Sequence, residues 1–199
     1  MIPRHVSRAL VVGACSVILL LVQLLTKSAA GPSTADAETL SGGGAYLSAS
    51  ALSELKVGQE RIRAILGYAN RYHIPAPLAA KIYDHAVAEQ ITPELAFRLV
   101  RVESEFSVNA RSKAPAIGLT QLMVETASHY QAGVTENDLY APDLNLQIGF
   151  RYLRGLIREF NGDVTAALEA YNRGPVPVAL ALANGAAVGG VYSRAVLRK

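Results

Sequence analysis

From Leu52 onward the apolar positions recur at three- and four-residue intervals rather than in alternation, the signature of helices that bury one face. Leu52, Leu55, Ile62, Ile65 and Leu66 predict a first helix. Pro75 and Pro77 interrupt that pattern and can open a second helix reaching Gln90. Thr92-Pro93-Glu94 combines a capping hydroxyl, proline at the first helical position and an acid in the first turn, so a third helix is expected from Pro93 to Phe106. Asn109 to Ile117, with Pro115, reads as a loop, and Leu119 to Tyr130 as a short helix. After a second loop at Asn137 to Pro142, a long helix over Leu144 to Phe160 rests on Leu146, Phe150, Leu153, Leu156, Ile157 and Phe160. Asn161-Gly162-Asp163 ends it and caps a further helix from Val164 to Tyr171. Gly174-Pro175 breaks the chain again, and Val178 to Asn184 and Tyr192 to Arg198 predict two short closing helices. There is no convincing run of alternating strands and no internal repeat. The fold class expected is all-α, a globular domain of several short helices.

The start of the chain is patterned differently. Arg4, His5 and Arg8 precede a 17-residue run without charge, Ala9 to Leu25, and Lys27 follows it. A basic segment, an apolar stretch and then small residues make the layout of an export signal, with cleavage expected after Ala35-Asp36-Ala37 or, earlier, after Ser28-Ala29-Ala30. The same run is at the short limit for spanning a bilayer, so an uncleaved anchor stays open beside a cleaved signal. Residues 31–50, with Gly42-Gly43-Gly44, read as a flexible tether. The organisation expected is a signal or anchor over 1–37, a linker over 38–51 and a folded domain over 52–199.

Composition narrows the function classes. The chain has 199 residues, 51% hydrophobic and 18% charged, which excludes a disordered or linker protein. Of the formal charge of +3, the first 37 residues carry +2. The remainder, with 16 basic and 15 acidic side chains, is close to neutral and lacks the basic face a nucleic-acid binder needs. The single Cys15 lies in the apolar run, so the body has no disulfide framework, and the four histidines show no metal-ligand spacing.

One acid stands out. With Leu95 at zero on a helical wheel, Leu99, Val102 and Phe106 lie within roughly 40° of it, and Glu103 lies at about 80°, on the edge of that apolar stripe. Arg98, Arg101 and Glu105 fall on the opposite side, where Glu105 can pair with Arg101 at i,i+4. A carboxyl at the margin of an apolar face is partly desolvated, its pKa should rise, and a glutamate raised toward neutrality suits a general acid. A glutamate reaching around the helix end to water or to an arginine is the plainer reading of the same position. Polar groups follow among apolar ones: Ser112, then Thr120 and Gln121 within the stretch Ile117 to Met123, then Tyr171 and Asn172 at a helix end before Gly174-Pro175. Phenols and amides at the mouth of a cleft suit neutral ligands rich in hydroxyls and amides, such as sugars. The plainer reading has Gln121 and Asn172 capping helix ends and Tyr171 in the core.

In order, these residues resemble the lytic transglycosylase family of the soluble type, with a goose-type-lysozyme-like catalytic domain. The motifs are Glu103-Ser104-x-Phe106, Asn109-Ala110-x-Ser112, Gly118-Leu119-x-Gln121-Leu122-Met123 and Ala170-Tyr171-Asn172-x-Gly174-Pro175, with Leu139-x-x-Pro142-x-x-Asn145 and Gly149-x-x-Tyr152-Leu153 between them. The resemblance covers residues 75–198. It implies that Glu103 is a single catalytic acid/base, that Ser112 and Gln121 contact the sugar, that Met123 packs near an N-acetyl group, that Tyr171 hydrogen-bonds and orients the glutamate, and that Asn172 belongs to the same wall. The implied reaction cleaves the β-1,4 bond from N-acetylmuramic acid to N-acetylglucosamine in peptidoglycan and leaves a 1,6-anhydromuramoyl end. No metal or cofactor is implied. Three positions depart from the family pattern: Pro115 for the usual Gly, Thr120 for the usual Met, and Val124 where Pro often follows.

The resemblance also implies peptidoglycan strands as partner, and the leader implies export to the cell envelope (periplasm, or inner membrane if it is kept), with membrane contact only through the N-terminal segment. A cell-envelope or secretion-system assembly stays open as a partner. A hydrolytic muramidase, a peptidoglycan-binding module without turnover and a purely structural helical domain are the competing readings.

Overall fold

The computed structural model describes residues 48–198. The expected leader (1–37), Cys15 and the tether up to residue 47 lie outside them. Among the described residues there are eight α-helices and one two-stranded hairpin. Helix α1 (Ala49–Tyr72) begins before Leu52 because the Ser48 hydroxyl accepts the Ala51 N–H at 3.2 Å and caps it. Helices α2 (Ala76–Ala88) and α3 (Pro93–Ser104) follow, each with proline in its first turn. After the hairpin come the one-turn α4 (Val124–Ser128), the long α5 (Pro142–Glu159), α6 (Val164–Arg173), α7 (Pro175–Ala183) and α8 (Val191–Leu197). The expected closing helices are therefore present, with α7 starting earlier than Val178. None of the described helices is long and apolar enough to cross a membrane.

Helix α5 is central, packed between α2 and α6, and α8 closes over α3 and α6. The core between them holds Ile82, Phe97, Leu99, Leu146, Phe150, Leu153, Leu168 and Val196, all fully buried. The C-terminal half of α1 joins it through Ile65, Ala69 and the ring of Tyr68, stacked on Phe97 at 4.1 Å between centroids. The rest of α1 leaves Leu52, Leu55, Val57 and Ile62 exposed.

One predicted helix is corrected. Leu119 to Tyr130 is not a single helix: Ala116–Ile117 (β1) pairs antiparallel with Leu122–Met123 (β2), and only Val124–Ser128 is helical. The turn between the strands runs through Gly118 at φ 76° and Gln121 at φ 48°, left-handed conformations that no helix admits. Asn145 holds this turn from below. Fully buried on α5, it donates its amide to the carbonyls of Ile117 (2.8 Å) and Leu139 (2.9 Å) and accepts the N–H and hydroxyl of Thr120, both at 2.8 Å. A Cβ on Gly118 would meet the Asn145 amide and stand 2.6 Å from the Leu139 carbonyl, so glycine is required twice over, by φ and by space. Thr120, one of the departures from the family pattern, is thus a buried hydroxyl with a partner, seated against Gly149. Pro115 is exposed in the loop before β1, and Val124 opens α4.

Candidate active site

Helix α3 buries Ala96, Phe97, Leu99 and Val100, which brings its last turn under the hairpin. The buried Ser104 hydroxyl donates to the Leu119 carbonyl at 2.8 Å and ties the two together. Glu105 and Phe106, at φ 50° and 65°, then stop the helix. Glu105 is exposed, and Arg101, the partner expected for it, lies instead with its guanidinium 5.8 Å from the centre of the Tyr72 ring. Glu103 is partly buried and receives a hydrogen bond from the hydroxyl of Tyr192 on α8. Burial pushes the Glu103 carboxyl up to about 7, while the Tyr192 bond, which favours the charged form, pulls the other way. Tyr192 itself is raised far above an ordinary phenol, by burial first and then by the charge of Glu103, so it stays a neutral donor.

Glu103 lies in a cleft of about 500 Å³ whose lining also includes Ser112, Gln121, Met123, Tyr171 and Asn172. The structure therefore brings all six candidate residues into one cavity. The Gln121 amide donates to the carbonyls of Gly118 (3.0 Å) and Ala110 (3.2 Å), so what it can offer a ligand is its carbonyl oxygen. Ser112 bonds the Ala114 carbonyl across the loop that carries Pro115. Met123 is 38% exposed at the end of β2, and Asn172 is exposed on the far wall.

The placement of Tyr171 differs from what the resemblance implied. Its hydroxyl donates to the Thr120 carbonyl at 2.8 Å, which braces the hairpin, and the phenol bonded to Glu103 is Tyr192. Burial first, and then the charge of Glu103, raise Tyr171 well above the ordinary phenol value. Sequence reasoning missed Tyr192 because its helix was read only as a closing element. The available signal was Gly189-Gly190 just before it, a pair that permits close approach of backbone. Two further lining residues were also missed: Tyr152, whose ring lies 5.1 Å from that of Tyr171, and Arg173, the cation in the Tyr171-Asn172-x-Gly174 motif. Among the described residues lining the cleft, Glu103 is the only acid.

The profile of the transglycosylase SLT domain family matches residues 80–189, more than half of the chain. The chain belongs to this family. Among curated relatives, the SLT domain is similar to the soluble lytic murein transglycosylases of Salmonella typhimurium (28% identical) and Escherichia coli K12 (27%), each over 57% of this chain and 21% of the relative. It is 29% identical to the peptidoglycan transglycosylase gp16 of Escherichia phage T7 over 51% of this chain and 8% of that protein. Among solved structures, an inactive mutant of lytic transglycosylase Slt from Pseudomonas aeruginosa is 29% identical, with a TM-score of 0.50, over 59% of this chain and 20% of that one. The 70 kDa soluble lytic transglycosylase of Escherichia coli, at 21% identity and a TM-score of 0.52, shares the fold over 73% of this chain and 26% of its own. The SLT chain thus spans about a fifth of the length of the curated relatives named first. The all-α, lysozyme-like fold class expected from the sequence agrees with these neighbours.

Proposed function

We propose that this domain is a peptidoglycan lytic transglycosylase in which Glu103 is the single general acid/base. The observation that carries the reading is one partly buried carboxyl raised to about 7, hydrogen-bonded to a phenol, in a cleft with no second acid along its described lining. At neutral pH about half of such a group is protonated, so it can give a proton and take one back. Glu103 protonates the glycosidic oxygen as the C1–O bond of N-acetylmuramic acid breaks. The substrate's own N-acetyl carbonyl stabilises the cationic C1. The Glu103 carboxylate then takes the proton of the C6 hydroxyl as that oxygen bonds C1, which closes the 1,6-anhydro ring and restores the acid. Water is not consumed. Ser112, the Gln121 carbonyl and Asn172 supply polar contacts to sugar hydroxyls and amides, and Met123 and Tyr152 supply apolar surface. A hydrolase of the two-carboxylate kind would need a second acid about 5–10 Å from the first.

The names of the relatives, soluble lytic murein transglycosylase and peptidoglycan transglycosylase, favour the same substrate class. The reading places the folded unit, from about residue 52 on, at the cell envelope, exported or anchored by the first 37 residues, with glycan strands as its partner.

Incubating the protein with purified sacculi and weighing the released muropeptides tests this. Products one water lighter than reducing muropeptides, absent with Glu103→Gln, are expected. Reducing ends would replace the reading with a muramidase, and binding without products would replace it with a binding module. The pH profile follows from the raised carboxyl. The acid step needs protonated Glu103, so kcat/KM is expected to be level on the acid side and to fall as pH rises through about 7. An enzyme whose kcat/KM still rose through that range would not be using Glu103 as its acid.

A further inference from the structure

Glu169 has no part in the reaction described above, yet it is among the most buried charges of the domain, with only 4% of its side chain exposed. It lies on α6, three residues after the fully buried Ala166 and one turn before Arg173, whose guanidinium it meets at 3.2 Å. Its Oε1 accepts two backbone N–H bonds from another part of the chain, from Gly190 at 2.7 Å and from Ser193 at 3.1 Å. Those two donors bracket Tyr192. Burial alone would raise the Glu169 carboxyl, but the bonds from Ser193 and Gly190 and the charge of Arg173 outweigh it and hold the group below its ordinary value.

Helix α8 has seven residues, too few to persist by itself in water. Its N-cap is Gly190, which has no side-chain oxygen to bond the orphan N–H groups of the first turn. Glu169 supplies that oxygen from α6. The fit is close: a Cβ at Gly190 would stand 2.7 and 2.8 Å from the two carboxylate oxygens. From the turn so held, the Tyr192 hydroxyl reaches Glu103 across 89 residues of sequence.

We propose that Glu169 is a positioning residue: by bonding the start of α8 and the Arg173 side chain together, it holds Tyr192 on Glu103 and Arg173 on the wall of the cleft. The relevance to catalysis rests on the transglycosylase reading; the positioning itself does not, and the test separates the two.

The readout is the titration of the Glu103 carboxyl carbon, followed by NMR on glutamate-labelled full-length protein and assigned with Glu103→Gln. Tyr192→Phe removes a bond that favours the charged form, so the Glu103 pKa is expected to rise by about one pH unit. Glu169→Ala is expected to give the same rise, and the double variant no further one. Removing the negative charge of Glu169 would by itself move Glu103 down, so a rise reports lost geometry. Glu169→Gln keeps a carbonyl for the Gly190 N–H while losing the charge, so Glu103 is expected to stay at or slightly below its wild-type value and not to rise. Gly190→Ala pushes the contact apart from the other side and is expected to reproduce the rise, which keeps the test open if Glu169→Ala does not fold. With sacculi, Glu169→Ala and Gly190→Ala are expected to lower kcat about tenfold with KM little changed. Overturning results are a Glu103 titration that moves in Tyr192→Phe but not in Glu169→Ala or Gly190→Ala, a titration that does not move in Tyr192→Phe, or an additive double variant. A wild-type protein that shows the full titration pattern but releases no product would sink the transglycosylase reading alone.

Discussion

Glu103→Gln is expected to reduce cleavage of sacculi by at least about 10²–10⁴-fold, the share general acid–base catalysis ordinarily supplies, and more if no other group replaces it. Glutamine keeps the volume and an acceptor for the Tyr192 hydroxyl, so the cleft and α8 should stay in place while the transferable proton is lost. Binding of glycan strands is expected to survive, which separates lost chemistry from lost structure. The same variant has a stability signature with a definite sign. The folded carboxyl titrates at about 7 against an ordinary 4.5, so folding favours the protonated form. That contribution is fully present below the unfolded value and is lost as pH rises through the folded one. Near pH 8 the wild type carries a partly buried charge that the variant lacks, and Glu103→Gln should melt at the higher temperature. Near pH 4 the two should coincide. Turnover with sacculi and melting curves at both pH values check this, and a Glu103→Gln protein with wild-type turnover would move the acid to another residue.

The largest loss of stability is expected from Asn145→Ala. The truncation strands the Thr120 N–H and the Leu139 carbonyl and takes a bond from the Ile117 carbonyl, all in a fully buried setting. Each unsatisfied group costs about 1–3 kcal/mol, and with partial relaxation the total should be about 4 kcal/mol, at the exceptional end for one substitution. For a domain of this size that is roughly a 10 °C fall in Tm. Turnover should fall as well, because the turn that Asn145 holds carries Gln121 and leads into Met123. Asn145→Asp is no remedy: it keeps the acceptor for Thr120 but turns a carboxylate toward two carbonyls. Urea unfolding of the two variants measures the effect, and a loss below about 1 kcal/mol would mean that the turn is held by something other than this side chain.

Most of the helices were legible because apolar periodicity and start residues, proline above all, announce them. Thr92-Pro93-Glu94 opens α3, and Asp163 caps α6 through its side chain, accepting the N–H groups of Thr165 and Ala166. Glu103 was legible for a related reason, since a helical wheel measures how far a residue stands from the buried face. The hairpin was not. Its strands are two residues each, too short for an alternating pattern to rise above a helical one, and Gly118 becomes a turn residue through an asparagine 27 positions later. The partner of Glu103 was missed on the same ground. Tyr171 was the nearer phenol by motif, but its hydroxyl donates to the Thr120 carbonyl, and Tyr192 reaches the acid from α8, whose first turn Glu169 holds. Local pattern finds a group whose environment is its own helix, and it does not find one whose environment is assembled from three.

That assembly also sets an order of events during synthesis. A nascent chain that has emerged only as far as Asn172 carries the acid, the hairpin and most of the cleft wall, but not the phenol 89 residues beyond Glu103. Contacts of such long sequence separation form late. The Tyr192–Glu103 bond therefore closes only once α8 is in place, and fragments released by early termination or by proteolysis between Gly174 and Tyr192 have no phenol on their acid.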